Sequence, residues 1–593
     1  MASFVHGTVA SAEATGQSDA TSCNKTWWKN GTVYQIYPSS FKDSSGDGIG
    51  DIPGIISCLD YIAGLGVDII WLCPMYDSPH VDNGYDVADY ENIYAPYGTL
   101  ADMVALIRGC HDRGMRIIID LVVNHTSDQH EWFKESRSSA DHPKRSWYIW
   151  KPAGYTKNGH RKPPNNWRSY FGGSAWQWDE RTQEYYLHLF APEQPDLNWE
   201  NEETRNEVYK SAMEFWLYKG VDGFRIDTVN LYSKTPGLPD APVVDANSQW
   251  QSGVAYHCNG PRMHEYLQEM NAKVLSRFDC MTVGELPSTP DPAKVLRYVS
   301  AKEKQLNMVF QFDVVDLGQG RDQKDDTDPL SWTLPDLKAA LLRSQRLISG
   351  TDGWTTAFLE NHDQARSISR FASDDERYRE RSGKMLAIML AALSGTLFIY
   401  QGQEIGMINM PKDWDIDEYK DLESSNYYRS VSERTHGNQR ALSRALTAVQ
   451  HLARDHARLP MQWDDSPNAG FTTGTPWMRT HDAYKHINAK SALADKHSLL
   501  HFWKRLLSLR QEYADLLIYG DFEVYDMGNV DVFTFAKVTG SGIALIALNF
   551  SADSQGWSKP DDVEGQLDVL VSNVQSSEES VLAPWEGRLY LVS

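Results

Sequence analysis

Eight short apolar runs rich in β-branched residues, most of them followed by a helical pattern, are the strongest constraint this chain carries. They fall at Val33–Tyr37, Asp68–Cys73, Arg116–Val123, Gly223–Asp227, Met281–Glu285, Met308–Asp313, Thr355–Leu359 and Thr396–Tyr400. Continuous apolar runs of this length read as strands buried on both faces. Helical patterns lie between them at Ile55–Gly64, Leu100–Arg113, Arg205–Tyr218, Gly260–Phe278, Leu334–Ser344 and Tyr378–Leu393. Such alternation implies parallel strands with crossover helices, and eight units predict a closed (β/α)8 barrel.

At 593 residues the chain exceeds what one core sustains, and the pattern shows where the extra length goes. The barrel is assigned to residues 27–124 and 200–517. A polar stretch rich in Trp and Pro over 125–199 is far too long for a simple βα loop and predicts an inserted domain over the barrel mouth. A second excursion occupies about 407–490, after the eighth run. Residues 518–593 change to short β segments at Phe522–Tyr525, Val530–Phe535, Ile543–Leu548 and Leu589–Val592, predicting a small antiparallel β domain. Residues 1–26, rich in Ala, Ser, Thr and Gly, are expected to form a disordered leader.

The formal charge of −23, from 57 basic and 80 acidic residues, argues against nucleic acid or an anionic membrane as a partner. No apolar stretch approaches the ~18 residues of a membrane span. The N-terminus lacks the basic and apolar regions of a secretory signal. Six scattered cysteines without a Cys-x-x-Cys pair read as reduced thiols, so a cytoplasmic location is expected. A secreted chain shown without its signal would look the same. No dinucleotide or phosphate-binding glycine motif occurs, and no catalytic cofactor is expected. Twenty Trp suit a protein that stacks sugar rings, and equally a large core.

Polar residues gather where the proposed strands end. The third ends in Asp120-Leu-Val-Val-Asn124-His125, the fourth is Gly223-Phe-Arg225-Ile-Asp227, the fifth ends in Gly284-Glu285, and the seventh leads into Glu360-Asn-His362-Asp363. The C-terminal ends of barrel strands carry active sites, so these charges point to catalysis. Carboxyl pairs cleave glycosidic bonds: one protonates the leaving oxygen while the other attacks or activates water. Asp227 lies two residues after Arg225, on the same side of the strand, and a guanidinium there keeps a carboxylate ionised, as a nucleophile requires. Glu285 sits beside Val283 and Leu286 with no adjacent cation, which suits an acid of raised pKa.

These four segments, in this order and spacing, resemble the motif regions of the α-amylase family, glycoside hydrolase family 13. Gln194-Pro-Asp-Leu-Asn198 further resembles the subgroup of maltases and oligo-1,6-glucosidases, as do Gln35-Ile-Tyr-Pro38, Asn83-Gly-Tyr85-Asp86, the Asn166–Gly173 segment and Tyr400-Gln-Gly-Gln-Glu404. The resemblance runs from about Trp27 to the C-terminus. It implies a barrel, an inserted domain and a C-terminal β-sandwich. Asp227 resembles the nucleophile, Glu285 the acid/base and Asp363 the transition-state stabiliser. His125 and His362 resemble the pair that binds hydroxyls of the terminal sugar, with Arg225 orienting Asp227. Asp82, Tyr85 and Arg454 resemble the residues that close the far end of the pocket. Phe190 is a candidate for its wall, with core packing as the other reading. A blind pocket of this kind implies exo-action on a small gluco-oligosaccharide.

Linkage rests on Thr228, where relatives preferring α-1,4 bonds tend to carry Thr or Ala and those preferring α-1,6 bonds carry Val. Maltose-type substrates are therefore expected. An oligo-1,6-glucosidase, a transglucosylase and a sucrose isomerase remain readings of the same site, and a catalytically silent transporter partner is a distant one. Asp43, Ser45, Asp47, Ile49 and Asp51 space oxygen donors like a calcium loop, with Gly54 where an EF-hand would need Glu. They resemble the subgroup's structural calcium site; an Asp/Gly-rich turn without metal is the other reading.

Overall fold

All eight apolar runs become strands of one parallel sheet in the computed structural model, which describes residues 26–246, 248–320, 331–575 and 578–593. The strands are β1 (Thr32–Ile36), β2 (Ile69–Leu72), β3 (Arg116–Leu121), β4 (Gly223–Ile226), β5 (Met281–Leu286), β6 (Met308–Gln311), β7 (Thr356–Ala357) and β8 (Thr396–Tyr400). Their ladder order is β6-β5-β4-β3-β2-β1-β8-β7. Between β6 and β7, where no ladder joins the described strands, the Thr356 hydroxyl donates to Val309 O and the Thr355 hydroxyl to the Gln311 side chain, each at 3.1 Å. The barrel is thereby nearly closed. The runs read as continuously apolar because each strand is buried on both sides. Val33 in β1 and Tyr37 just after it pack into the barrel interior with Trp71, Ile118, Val283 and Phe310, while Tyr34 and Ile36 face the helices.

That alternation decides which side chains reach the site. Ile118, Val283 and Trp71 point inward, so Asp120, Glu285 and Cys73, each two residues on, continue the same inward rows. Gly223 opens β4 with φ +145°, and a Cβ there would lie 1.9 Å from Met281 O, so the β4–β5 approach requires glycine. The helices after strands are Leu100–His111, Met263–Lys273, Leu334–Ile348 and Arg379–Ala391, close to expectation. The helix expected after β1 is split into Ile52–Ser57 and Leu59–Ala63, and the one before β4 runs Glu202–Val208 and Phe215–Tyr218 through a π-helical Tyr209–Glu214. Pro292–Val299 and Leu499–Glu512, absent from the expected set, complete the ring.

Between β3 and β4 the chain builds a three-stranded antiparallel sheet from Trp150–Lys151, Glu184–Leu187 and Trp176–Asp179. It is pinned to the end of β3 by an isolated bridge between His125 and Asp196 and by Leu197 N–H donating to Asn124 O at 2.9 Å. After β8, helices Leu422–Arg434 and Gln439–Leu452 form a pair within the long excursion.

The C-terminal region is a five-stranded antiparallel sheet ordered Asp521–Tyr525, Val532–Thr539, Gly542–Asn549, Gly587–Val592 and Leu567–Ser572. A two-stranded sheet packs on it through Trp557 and Leu582. Leu567–Ser572 escaped the sequence reading because a register shift between Val569 and Val571 breaks its alternation. A buried cation joins this region to the barrel. Lys338 donates to the carbonyls of Asp526, Asn529 and Val532 in that region, while Arg510, on the barrel helix Leu499–Glu512, ties the barrel to itself through the carbonyls of Ala391, Leu393 and Gly395.

Among the described residues no helix is long and apolar enough to cross a membrane. Cys58, Cys73, Cys110, Cys258 and Cys280 are free thiols. The leader expected at 1–26 and Cys23 fall, apart from Thr26, outside the described residues.

Candidate active site

At the C-terminal rim of the barrel lies a cavity of about 390 Å³. Asp227, Glu285 and Asp363 all line it, together with Asp82, Tyr85, His125, Phe190, Thr228 and Arg454. Seven segments distant in sequence thus converge on one space, because parallel strands end at one rim and the βα loops close over it.

Arg225 organises the two central acids from below. Its Nη1 donates to Asp227 Oδ1 at 2.7 Å and to Asp120 Oδ1 at 2.6 Å, while its Nη2 lies 3.0 Å from Glu285 Oε1. Arg225 is buried and does not line the cavity. The Thr228 hydroxyl donates to Asp227 Oδ2 at 3.1 Å, and the Thr228 N–H donates to Glu285 Oε2 at 3.2 Å. Thr228 has φ +38°, an uncommon conformation for a β-branched residue, and it lets one residue touch both acids. Burial pushes the Glu285 carboxyl up to about 8; Arg225 opposes the shift, and the charges of Asp227 and Asp363 add to it. Burial likewise raises Asp120 to about 7 against the pull of Arg225.

Asp363 is held by cations. Its Oδ1 accepts from Arg454 Nε at 2.8 Å and Arg458 Nη2 at 2.9 Å, and Oδ2 lies 2.9 Å from His362 Nε2. Burial would raise this carboxyl, but Arg454, His362 and Arg458 overcome it and hold it well below the usual range. Asp82 sits 3.6 Å from Arg454 Nη2 and accepts from Gln194 Nε2 at 3.1 Å. Burial dominates there and lifts its carboxyl to about 7, with Arg454 opposing.

The histidines differ in placement. His125 lines the cavity, its Nε2 3.2 Å from Gln194 Nε2 and 3.1 Å from Tyr85 O, with Phe190 packed 5.0 Å from its ring. His362 is fully buried one layer deeper. The Tyr85 hydroxyl lies 2.6 Å from its Nε2 and the Tyr85 ring stacks on it at 5.2 Å, while Gln35 Nε2 lies 2.8 Å from its Nδ1. Burial lowers both imidazoles, His362 to about 4, so both are neutral at pH 7. His362 is thus engaged by Tyr85, Gln35 and Asp363.

Several cavity residues had no assigned role from sequence. Phe171, Glu423 and Phe312 line it, and Asp421 lies behind it on Arg454 and Arg458. Glu423 and Asp421 sit in the excursion after β8, whose path over the rim has no periodic signal. Gln194 belongs to a quoted motif, but its contact with Asp82, like that of Arg458 with Asp363, is tertiary.

The calcium loop closes on its own donors. Asp43 accepts from the N–H groups of Ser45, Gly46 and Gly48, and Asp51 from those of Ser44, Ser45 and Gly54. Asp47 accepts from Ile49 N–H, and Asp47 N–H donates to the Ser45 hydroxyl. Among the described residues no group of three or more acidic, His or Cys side chains is arranged to hold a metal. The loop is held by hydrogen bonds from its own N–H groups to Asp43, Asp47 and Asp51.

Residues 35–520 match the α-amylase family, described as alpha amylase, catalytic domain. An α-glucosidase of Candida albicans is 53% identical over 571 residues, spanning 95% of this chain and 99% of that one. An oligo-1,6-glucosidase of Saccharomyces cerevisiae is 48% identical over 579 residues, covering 95% and 98%. The crystal structure of an isomaltulose synthase from Protaminobacter rubrum superimposes with a TM-score of 0.89 at 39% identity, over 96% of this chain and 100% of that one. The chain belongs to the α-amylase family, glycoside hydrolase family 13, and is a glycoside hydrolase.

Proposed function

We propose that the protein is an exo-acting, retaining α-glucosidase that releases glucose from the non-reducing end of maltose-type α-1,4 gluco-oligosaccharides. The observation that carries this reading is the grip of one guanidinium on both Asp227 and Glu285. That shared contact suits the ~5 Å carboxyl separation of retaining enzymes better than the wider gap that admits a water.

Asp227 is the nucleophile. Its Oδ1 is fixed by Arg225, leaving Oδ2 to attack the anomeric carbon. Glu285, protonated at neutral pH because burial raises its pKa, gives its proton to the leaving glycosidic oxygen. The covalent glucosyl–Asp227 ester then meets a water, from which the Glu285 carboxylate takes a proton, and glucose leaves with its α-configuration kept. Asp363 stays ionised between its arginines and stabilises the oxocarbenium-like transition state. Asp82 and Arg454 would take the outer hydroxyls and Tyr85 would stack on the ring, closing the pocket to all but a terminal residue. The five free thiols favour a reducing compartment, and the cytoplasm is our assignment.

Glucose release from maltose and isomaltose, compared as kcat/KM, tests the linkage. Preference for maltose supports the α-1,4 assignment. Preference for isomaltose keeps the catalytic residues and moves the enzyme to the oligo-1,6 group, the class of its 48% identical relative. Asp227→Asn and Glu285→Gln should each lower kcat on maltose by on the order of 10⁴ with the fold intact. Near-normal rates in either would refute the roles.

A further inference from the structure

Behind the cavity, Arg454 and Arg458 stand one helical turn apart, at the two ends of the short segment Arg454–Arg458, and both are buried. Both reach the same Asp363 Oδ1. Two guanidiniums so close in a low-dielectric interior repel, and one carboxylate balances only one of them. The balance comes from Asp421, whose Oδ2 lies 3.4 Å from Arg454 Nη1 and 3.4 Å from Arg458 Nη1. Asp363, Arg454, Asp421 and Arg458 therefore alternate in sign around a closed ring.

Asp421 is itself firmly seated. Its side chain is fully buried, its Oδ1 accepts from Glu423 N–H at 3.1 Å to cap helix Leu422–Arg434, and its own N–H donates to Asp455 Oδ1 at 3.1 Å. Arg454 pairs with three carboxylates, Asp363 at 2.8 Å through Nε, Asp421 at 3.4 Å through Nη1 and Asp82 at 3.6 Å through Nη2, and the charge of Glu423 also acts on it. With Asp421 removed, Nη1 loses its partner and the guanidinium is free to rotate between the two acids that remain. Those two acids face the cavity.

We infer that Asp421 is a positioning residue for the terminal-sugar pocket: it holds the Arg454 and Arg458 guanidiniums in register so that Asp363 and Asp82 present fixed oxygens to the substrate. The inference rests on the α-glucosidase reading. It assigns Asp421 to the sugar pocket itself rather than to the mouth helix it caps.

The test is D421N in the full-length chain, since Asn caps a helix as well as Asp does and removes only the charge. KM for maltose, KM for p-nitrophenyl α-glucoside and the inhibition constant for glucose should rise together, on the order of tenfold, because all three depend on the one sugar pocket. Asp421→Ser, which also caps, should reproduce the pattern, and it carries the test should D421N fail to fold. A rise confined to maltose would overturn the inference, placing the effect at the mouth beside Glu423. So would a lowered Tm with all three constants unchanged per active site, which marks a purely structural role. Wild-type protein inactive on both glucosides would sink the glucosidase reading instead, so the two failures are distinguishable.

Discussion

Two residues carry the tunable chemistry of the site, and each makes a prediction. Glu285 must be protonated to act as an acid, and burial raises its pKa to about 8. The protonated form is the active one, so kcat/KM holds at neutral pH and falls as pH rises through that value. A pH–rate profile whose alkaline limb instead lay near the ordinary Glu pKa of ~4.3 would contradict the assignment. Thr228 supplies a hydroxyl to Asp227 and an N–H to Glu285. Thr228→Val keeps the N–H and loses the hydroxyl, and it should shift preference towards isomaltose by ~1–3 kcal/mol in relative kcat/KM. An unchanged maltose/isomaltose ratio would remove Thr228 from the specificity argument. Glu285 was legible because it follows the inward Val283 by two along its strand, and Asp227 because it follows Arg225 by two. The partners of His362 were not, since Tyr85 and Gln35 come from other loops and strands.

At the scale of elements, strands were easier to read than the segments between them. A strand buried on both faces leaves an unbroken apolar run, and all eight runs became barrel strands within a few residues. Helix Pro292–Val299 is short, and Leu499–Glu512 follows a long excursion, so neither stood out as the partner of a strand. One glycine tests the strand geometry directly. Gly223→Ala puts a Cβ against Met281 O at a positive φ and should destabilise the β4–β5 pair by roughly 2–5 kcal/mol, seen as a lowered Tm. A Tm equal to wild type would mean that β4 relaxes freely, against the tight approach seen here. The Asp43–Asp51 loop shows the opposite case: spacing alone matches a metal loop, while the placed carboxylates spend their oxygens on the loop's own N–H groups.

At the scale of the whole molecule, buried cations act twice: Lys338 ties the barrel to the C-terminal sheet, and Arg510 ties the last barrel helix to the layer before β8. Arg510 spends its guanidinium on three carbonyls at the end of helix Arg379–Ala391 and the approach to β8. Arg510→Ala would leave those buried acceptors unpaired, at a cost of roughly 3 kcal/mol or more. Calorimetry should show a lower main transition, with activity per folded molecule little changed because Arg510 does not line the cavity. A Tm equal to wild type would show that water replaces the guanidinium there.

The sequence by itself determined the barrel, its strand order in the chain and the acids at its rim, because periodicity and burial are local consequences of residue type. It also carried the family motifs, which are short and contiguous. Only the tertiary structure decided which acids share Arg225, that His362 lies behind Tyr85, and that Asp421 closes a ring with Asp363. Those contacts join residues up to hundreds of positions apart, and their energy depends on distance and burial in the folded interior, which no local pattern encodes.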